Sequence, residues 1–278
     1  ASLDLLDLIA ELRLAKECPT AFTNMRFHEQ AEWVEEAVGR IVPPATDAVA
    51  VCVLDSGVDY AQPLISPALD EDHALTCFPG TSPSDHDGHG SEMAGLSLYG
   101  DLTEPLASTG PIVLRHRLES VQILPKVGKN HPDLYGSITA EAVGRIETVS
   151  PTRPRVFCMA VATTDFRDRG MPSSWSAELD QLAFGETPDA PRRLILVSGG
   201  NADRSQWHNY PNSNYTDGIH DPGQSWNALT VGAFTQKDSI SSPEFSDYTP
   251  LAAHGGLSPS STTSLVWNRS WPLKPDIV

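Results

Sequence analysis

The sequence is poor in cysteine, in basic residues and in long apolar runs, and each shortage excludes a class of protein. Four cysteines in 278 residues, namely Cys18, Cys52, Cys77 and Cys158, are too few and too scattered for a small disulfide scaffold, and no C-x-x-C pair offers a zinc site. Cys52 and Cys158 lie inside apolar runs and are expected as buried free thiols. That usage favours a reducing compartment and a cytoplasmic location. Nineteen Lys and Arg stand against 36 Asp and Glu, a formal charge of −17. A chain without clustered cations cannot neutralise a phosphate backbone, which argues against a nucleic-acid partner. No apolar run approaches the roughly 18 residues of a membrane span, so no membrane partner is expected. The 20 Gly and 23 Pro show no period, which excludes collagen-like and low-complexity chains.

What is present is the pattern of one large α/β unit, long enough to bury a sizeable core. Leu3, Leu5, Leu6, Ile9 and Leu12 fall largely on one helical face, and Trp33, Val34, Ala37, Val38 and Ile41 suggest a second helix, stopped by Pro43-Pro44. Residues 1–44 are therefore read as an N-terminal helical extension, and 45–278 as the main domain. From residue 48 the pattern changes to short apolar runs: Ala48 to Leu54, Val121 to Leu124, Arg155 to Val161, Leu194 to Val197 and Leu229 to Phe234. Runs without alternation are strands buried on both faces, which requires a mostly parallel sheet covered by helices. The intervening helices are expected at Ser91 to Tyr99, Ile138 to Val149 and Trp175 to Phe184, giving a doubly wound fold with helices on both faces. Lys274-Pro-Asp-Ile-Val278 reads as the opening of a further buried strand. With no Met at Ala1, both ends read as cut and the sheet as incomplete at its C-terminal side.

In open parallel sheets, reactive groups gather where strands end and helices begin. Asp55 follows Val-Cys-Val-Leu at such a point, where a carboxylate could orient a base, bind a metal or cap a turn. His89 stands just ahead of an expected helix, within Asp85-His-Asp-Gly-His-Gly-Ser-Glu-Met-Ala-Gly95. A helix N-terminus disfavours imidazolium, whereas a nearby carboxylate stabilises it and fixes the ring tautomer. Asp85, His86, Asp87 and His89 could alternatively crowd round a loop-bound metal, although they lack the i, i+4 His pair of a zincin. After the third run comes Leu194-Ile-Leu-Val-Ser-Gly-Gly-Asn201, where two glycines admit a close approach and an amide could donate to an oxyanion.

In this order the three segments resemble the subtilase family of serine endopeptidases. Asp55-Ser-Gly-Val is similar to the family's catalytic Asp motif, and His89-Gly-Ser-Glu-Met-Ala-Gly95 to its catalytic His motif, with Ser91 and Met93 in place of the more usual Thr and Val. Ser198-Gly199-Gly200-Asn201 resembles the oxyanion-hole segment, and Lys274-Pro-Asp-Ile-Val278 the stretch that precedes the nucleophile's Gly-Thr-Ser. The resemblance implies a subtilisin-like fold, a protein or peptide substrate, Asp55 and His89 as catalytic pair, and Asn201 as oxyanion donor. It also implies substrate contacts at Leu124, Val127 and Gly128, in a strand pairing with extended peptide, at Ala160, Val161 and Ala162 beside the pocket for the residue preceding the scissile bond, and at Ser198, Gly199 and Gly200 of the oxyanion-hole segment. The family often has Ser-Leu-Gly where this chain has Ala160-Val161-Ala162. The only Gly-Thr-Ser, Gly80-Thr81-Ser82, precedes the His motif and reads as a loop. The nucleophile is accordingly expected beyond Val278, and residues 1–278 alone are expected to be inactive. The alternative is a catalytically inactive peptide-binding or regulatory module on the same scaffold. No redox or nucleotide cofactor is implied, since neither G-x-G-x-x-G nor a P-loop occurs; family members often bind structural calcium, but no carboxylate cage for it can be identified. Asn214-Tyr-Thr and Asn268-Arg-Ser match glycosylation acceptors that are common by chance, and the tryptophans read as packing residues.

Overall fold

The computed structural model describes residues 20–163, 170–185, 187, 190–236, 238–240, 243–267 and 270–278. The helix expected over residues 3–12, Cys18, and Asn268 of the second acceptor triplet lie outside them. A short helix α1 (Thr20–Thr23) leads into α2 (Phe27–Val38). Helix α2 stops at Gly39 rather than at Pro43, and Ile41 leaves the helical pattern for β1 (Ile41–Val42), which pairs in parallel with β4 (Ile112–Val113).

The main sheet contains β2 (Ala50–Asp55), β3 (Ala74–Thr76), β5 (Arg117–Gln122), β6 (Arg155–Met159), β7 (Leu194–Ser198) and β8 (Leu229–Val231). Their order is β3-β5-β2-β6-β7-β8, all parallel. Helices α3 (His89–Tyr99), α4 (Thr103–Ala107), α5 (Tyr135–Val149), α6 (Ser174–Phe184) and α7 (Asn212–Thr216) complete the described elements. Both faces of the central strands are apolar. Cys52 and Leu54 pack with Val143 and Ile146 of α5 and with Trp175 and Leu179 of α6. Val53, one residue out of phase, joins Ala94 of α3 and Ala37 of α2 on the opposite face. That double burial is why the strand shows no alternation in sequence.

Strand β5 begins four residues before the apolar run Val121 to Leu124 and ends two residues before it does, because polar residues conceal it. Glu119, fully buried, is held by Arg155 through Nε and Nη2 at 2.8 and 3.2 Å, and Arg117 reaches Asp70. A buried charge is tolerated only when paired in this way. Strands β6 and β8 end earlier than predicted, at Met159 and Val231. The C-terminal residues pair beside β8, with Gly232 N–H donating to the Ile277 carbonyl at 2.8 Å, but Ile277 and Val278 are exposed rather than buried. Asn214 is no glycan acceptor here, being fully buried with its amide donating to the Ser258 and Ser261 carbonyls.

Candidate active site

Strand β2 delivers Asp55 at its carboxyl end, fully buried, and α3 begins with His89. The structure brings the two together: Nδ1 of His89 lies 2.9 Å from both carboxylate oxygens of Asp55. This contact calls for the tautomer in which Nδ1 carries the proton. Burial draws the His89 pKa down, but the hydrogen bond and charge of Asp55, with Asp87 and Glu92 adding, outweigh it and hold the pKa above its ordinary value. The ring remains half-exposed, and among the described residues Asp55 is its sole hydrogen-bond partner, leaving Nε2 available.

Three residues outside the expected set position this pair. Asp85 accepts from the backbone N–H of Ser91 (2.8 Å), Gly88 (2.9 Å) and Asp87 (3.1 Å), so it caps α3, whose N-cap Gly88 has no side chain to do so. Its carboxyl also accepts from the Ser56 hydroxyl (2.8 Å), which in turn accepts from the Gly90 N–H (3.1 Å). These bonds outweigh burial and hold the Asp85 carboxyl well below the usual carboxylate range. No group of three or more His, Cys, Asp or Glu among the described residues is placed to hold a metal ion. Gln122, opposite Asp55 on β5, donates to the Ser56 carbonyl (3.1 Å) and lies 3.0 Å from Nδ1 of His86. Ser56 and Gln122 carried one sequence signal, a polar residue at the end of a strand. Two glycines allow the close fit. A Cβ on Gly90 would meet the Gly57 carbonyl at 1.9 Å, and Gly57 itself has φ +103°.

A cavity of about 380 Å³ opens beside His86 and Asp87. Of the expected substrate-contacting residues, Leu124, Gly128, Val161 and Ala162 line it, with Tyr135 and Trp175 among its walls. Val127 is exposed, and Ala160, Ser198, Gly199 and Gly200 do not line the cavity. Residues 124–128 form no strand, contrary to expectation. Pro125 has no N–H to pair, Gly128 takes φ +81°, and Asn130 folds the segment back by donating to the Ile123 carbonyl at 2.7 Å.

The loop after β7 is anchored through its backbone. Gly199 N–H donates to the Val231 carbonyl (2.9 Å) and the Gly199 carbonyl accepts from Thr262 Oγ1 (2.6 Å). Gly200 takes φ +86°, where a Cβ would meet the His220 ring at 2.3 Å. Asn201 bridges Ser261 through its main chain, and the residue is exposed.

Gly80-Thr81-Ser82 is an exposed loop whose Ser82 hydroxyl accepts from Ser84 N–H. Cys52, Cys77 and Cys158 are free, and burial pushes all three thiols up, Cys77 to about 12, so none is a thiolate nucleophile near neutral pH.

No curated protein matches the sequence. Among solved structures, the S41 psychrophilic protease is 21% identical with a TM-score of 0.44, over 67% of this chain and 53% of its own. The prenylagaramide maturation protease PagA is 18% identical with a TM-score of 0.44, over 84% and 75%. Sphericase is 19% identical with a TM-score of 0.42, over 70% and 57%. The chain thus spans about half the length of the S41 protease and of sphericase. The family model of the subtilases matches residues 46–278, the whole stretch that carries the sheet, Asp55 and His89, and the chain therefore belongs to the subtilase family.

Proposed function

We propose that the protein is a serine endopeptidase in which Asp55 and His89 form the acid–base pair of an Asp-His-Ser triad. One observation carries this reading: a fully buried carboxylate 2.9 Å from Nδ1 of a half-exposed imidazole, in a chain of the subtilase family. In this mechanism His89 Nε2 takes the proton of the attacking serine hydroxyl and later gives it to the leaving amine. Asp55 stabilises the imidazolium formed in between and keeps the ring in its reactive tautomer. The Asn201 amide donates to the oxyanion of the tetrahedral intermediate. An extended peptide lies along the segment 124–128, its side chains entering the cavity walled by Leu124, Val161 and Ala162.

No serine hydroxyl among the described residues contacts His89, and the proposal takes the nucleophile from outside residues 1–278. The test is fluorophosphonate labelling of the whole protein and, in parallel, of the polypeptide 1–278. One labelled serine in the whole protein, lost in His89→Ala, and an unlabelled polypeptide 1–278 are the expected results. Labelling of a serine within 1–278 would relocate the nucleophile. A whole protein that binds peptides but is never labelled would be the inactive peptide-binding module instead.

A further inference from the structure

His86 and His89 stand three residues apart, yet their partners call for protons on opposite ring nitrogens. The Asp55 carboxylate, an acceptor only, faces Nδ1 of His89 and requires the proton there. At His86 the partner is the Gln122 amide, and its orientation is fixed from both ends. Gln122 Oε1 accepts from the Thr76 hydroxyl at 2.8 Å, and Nε2 donates to the Ser56 carbonyl at 3.1 Å. A carbonyl can only accept, so the amide cannot be turned round. The second hydrogen of Nε2 is left for Nδ1 of His86, 3.0 Å away. That nitrogen must accept, which puts the proton of the neutral ring on Nε2.

The frame that sets this tautomer is internal, since Gln122 is buried and pairs with Asp55 across β5 and β2. The His86 Nε2–H itself has no hydrogen-bond partner among the described residues and is not sealed from solvent. His86 lines the cavity of about 380 Å³ together with the apolar side chains of Leu124, Ile138, Val161 and Trp175. The Thr139 hydroxyl, also on the wall, is already engaged, accepting from Trp175 Nε1 and donating to the Tyr135 carbonyl, both at 2.9 Å. In a cavity of this kind a few oriented polar groups decide what is accepted. The charged side chains on the lining, Asp87 and Lys129, are of opposite sign and give no net preference for an ion.

We infer that His86 is a specificity-determining residue: its Nε2–H donates to the tip of the substrate side chain that fills this cavity. It selects an uncharged side chain with an apolar stem and an acceptor at its end, of which glutamine is the type. The inference rests on the reading of this cavity as the place where substrate side chains enter.

The tautomer is tested without any reaction. In the nitrogen-15 spectrum of the whole protein, taken at a pH where its histidines are neutral, His86 should show a bare Nδ1 and a protonated Nε2. The reverse assignment would overturn the inference. Selectivity is tested by binding. Octapeptides retained from a randomised pool by the whole protein carrying His89→Ala, a background in which no bond is cut, are remade with Gln, Met or Glu at each position in turn. At one position Gln should bind about five- to tenfold more tightly than the near-isosteric Met, with Glu no better than Met. Adding His86→Leu should bring that ratio below about twofold, and a general weakening of the site cancels in it. Retention of no peptide, indifference to Gln at every position, an equal preference for Glu, or a preference that survives His86→Leu would each overturn the assignment. Fluorophosphonate labelling of the parent separates this inference from the reading beneath it. A labelled protein indifferent to Gln loses the role of His86 alone, whereas an unlabelled protein that selects Gln through His86 keeps that role and loses the peptidase chemistry.

Discussion

The two proposed halves of the site are built on different principles. At the β2–α3 junction the side chains themselves are locked: Asp55 is fully buried, His89 is held at 2.9 Å, and Ser56, Asp85 and Gln122 tie strand to helix by side-chain hydrogen bonds. At the end of β7 it is the main chain that is locked, through Gly199, Gly200 and the Asn201–Ser261 bridge, while Asn201 itself is exposed. The difference follows from the chemistry each would perform. A base must keep one tautomer and one distance through two proton transfers, whereas an oxyanion donor acts only when a substrate oxygen arrives.

The largest effects that probe this contrast should come from the locked half. In the whole protein, Asp55→Asn should lower kcat by roughly 10⁴-fold with the fold retained, because an amide cannot hold the same tautomer or stabilise the imidazolium. A change of less than tenfold, measured by peptide hydrolysis, would remove Asp55 from the reaction. Asn201→Ala should cost less, roughly 10²–10³-fold in kcat, on the order of 3–4 kcal/mol, with thermal stability unchanged since the side chain is exposed. Unchanged turnover would leave the exposed half without a catalytic role.

Ser56→Ala reverses the pattern, acting first on stability. It removes one of the bonds to Asp85 and leaves the buried Gly90 N–H without its partner, at a cost of about 1–3 kcal/mol measured by denaturant unfolding. Stability equal to the parent would mean that the strand–helix tie is dispensable.

The smallest effect is in pH dependence. His89 acts as a base only when neutral, and its pKa is raised by Asp55 against the opposing effect of burial. The acid limb of kcat/KM should therefore lie above the ordinary His value of about 6.5, and any residual activity of Asp55→Asn should show that limb moved to lower pH. In stability the same shift contributes fully below the unfolded-state pKa and fades as pH rises through the higher folded-state value. The parent should lose this increment on going from acid to neutral pH and Asp55→Asn should not. Coincident limbs in parent and variant would sever the electrostatic link between the pair.

Much of the frame is legible in the sequence where burial on both faces leaves no choice of residue. The apolar runs at Ala50–Asp55 and Leu194–Ser198, and the helices at α3, α5 and α6, appear within a few residues of where the pattern places them. Strand β5 is the instructive exception. Its Arg117, Glu119 and Gln122 look like surface residues, yet each is buried because Asp70, Arg155 and Ser56 come from distant parts of the chain to meet it. No local window contains those partners. The same reason hides Asn214, whose acceptor triplet is local but whose hydrogen bonds to Ser258 and Ser261 are not.

By itself, the sequence determined the parallel α/β class, the strand-end position of Asp55 and the helix-start position of His89, and the turn that Gly199 and Gly200 permit. These depend on hydrophobic periodicity and on local backbone freedom, which neighbours in sequence carry. Only the tertiary structure decided that Asp55 faces Nδ1 of His89, that Asp85 caps the helix and is tied to Ser56, and that residues 124–128 form no strand. Those outcomes turn on which polar groups meet inside a low-dielectric interior, where an unpaired donor or charge is costly enough to select one arrangement from many.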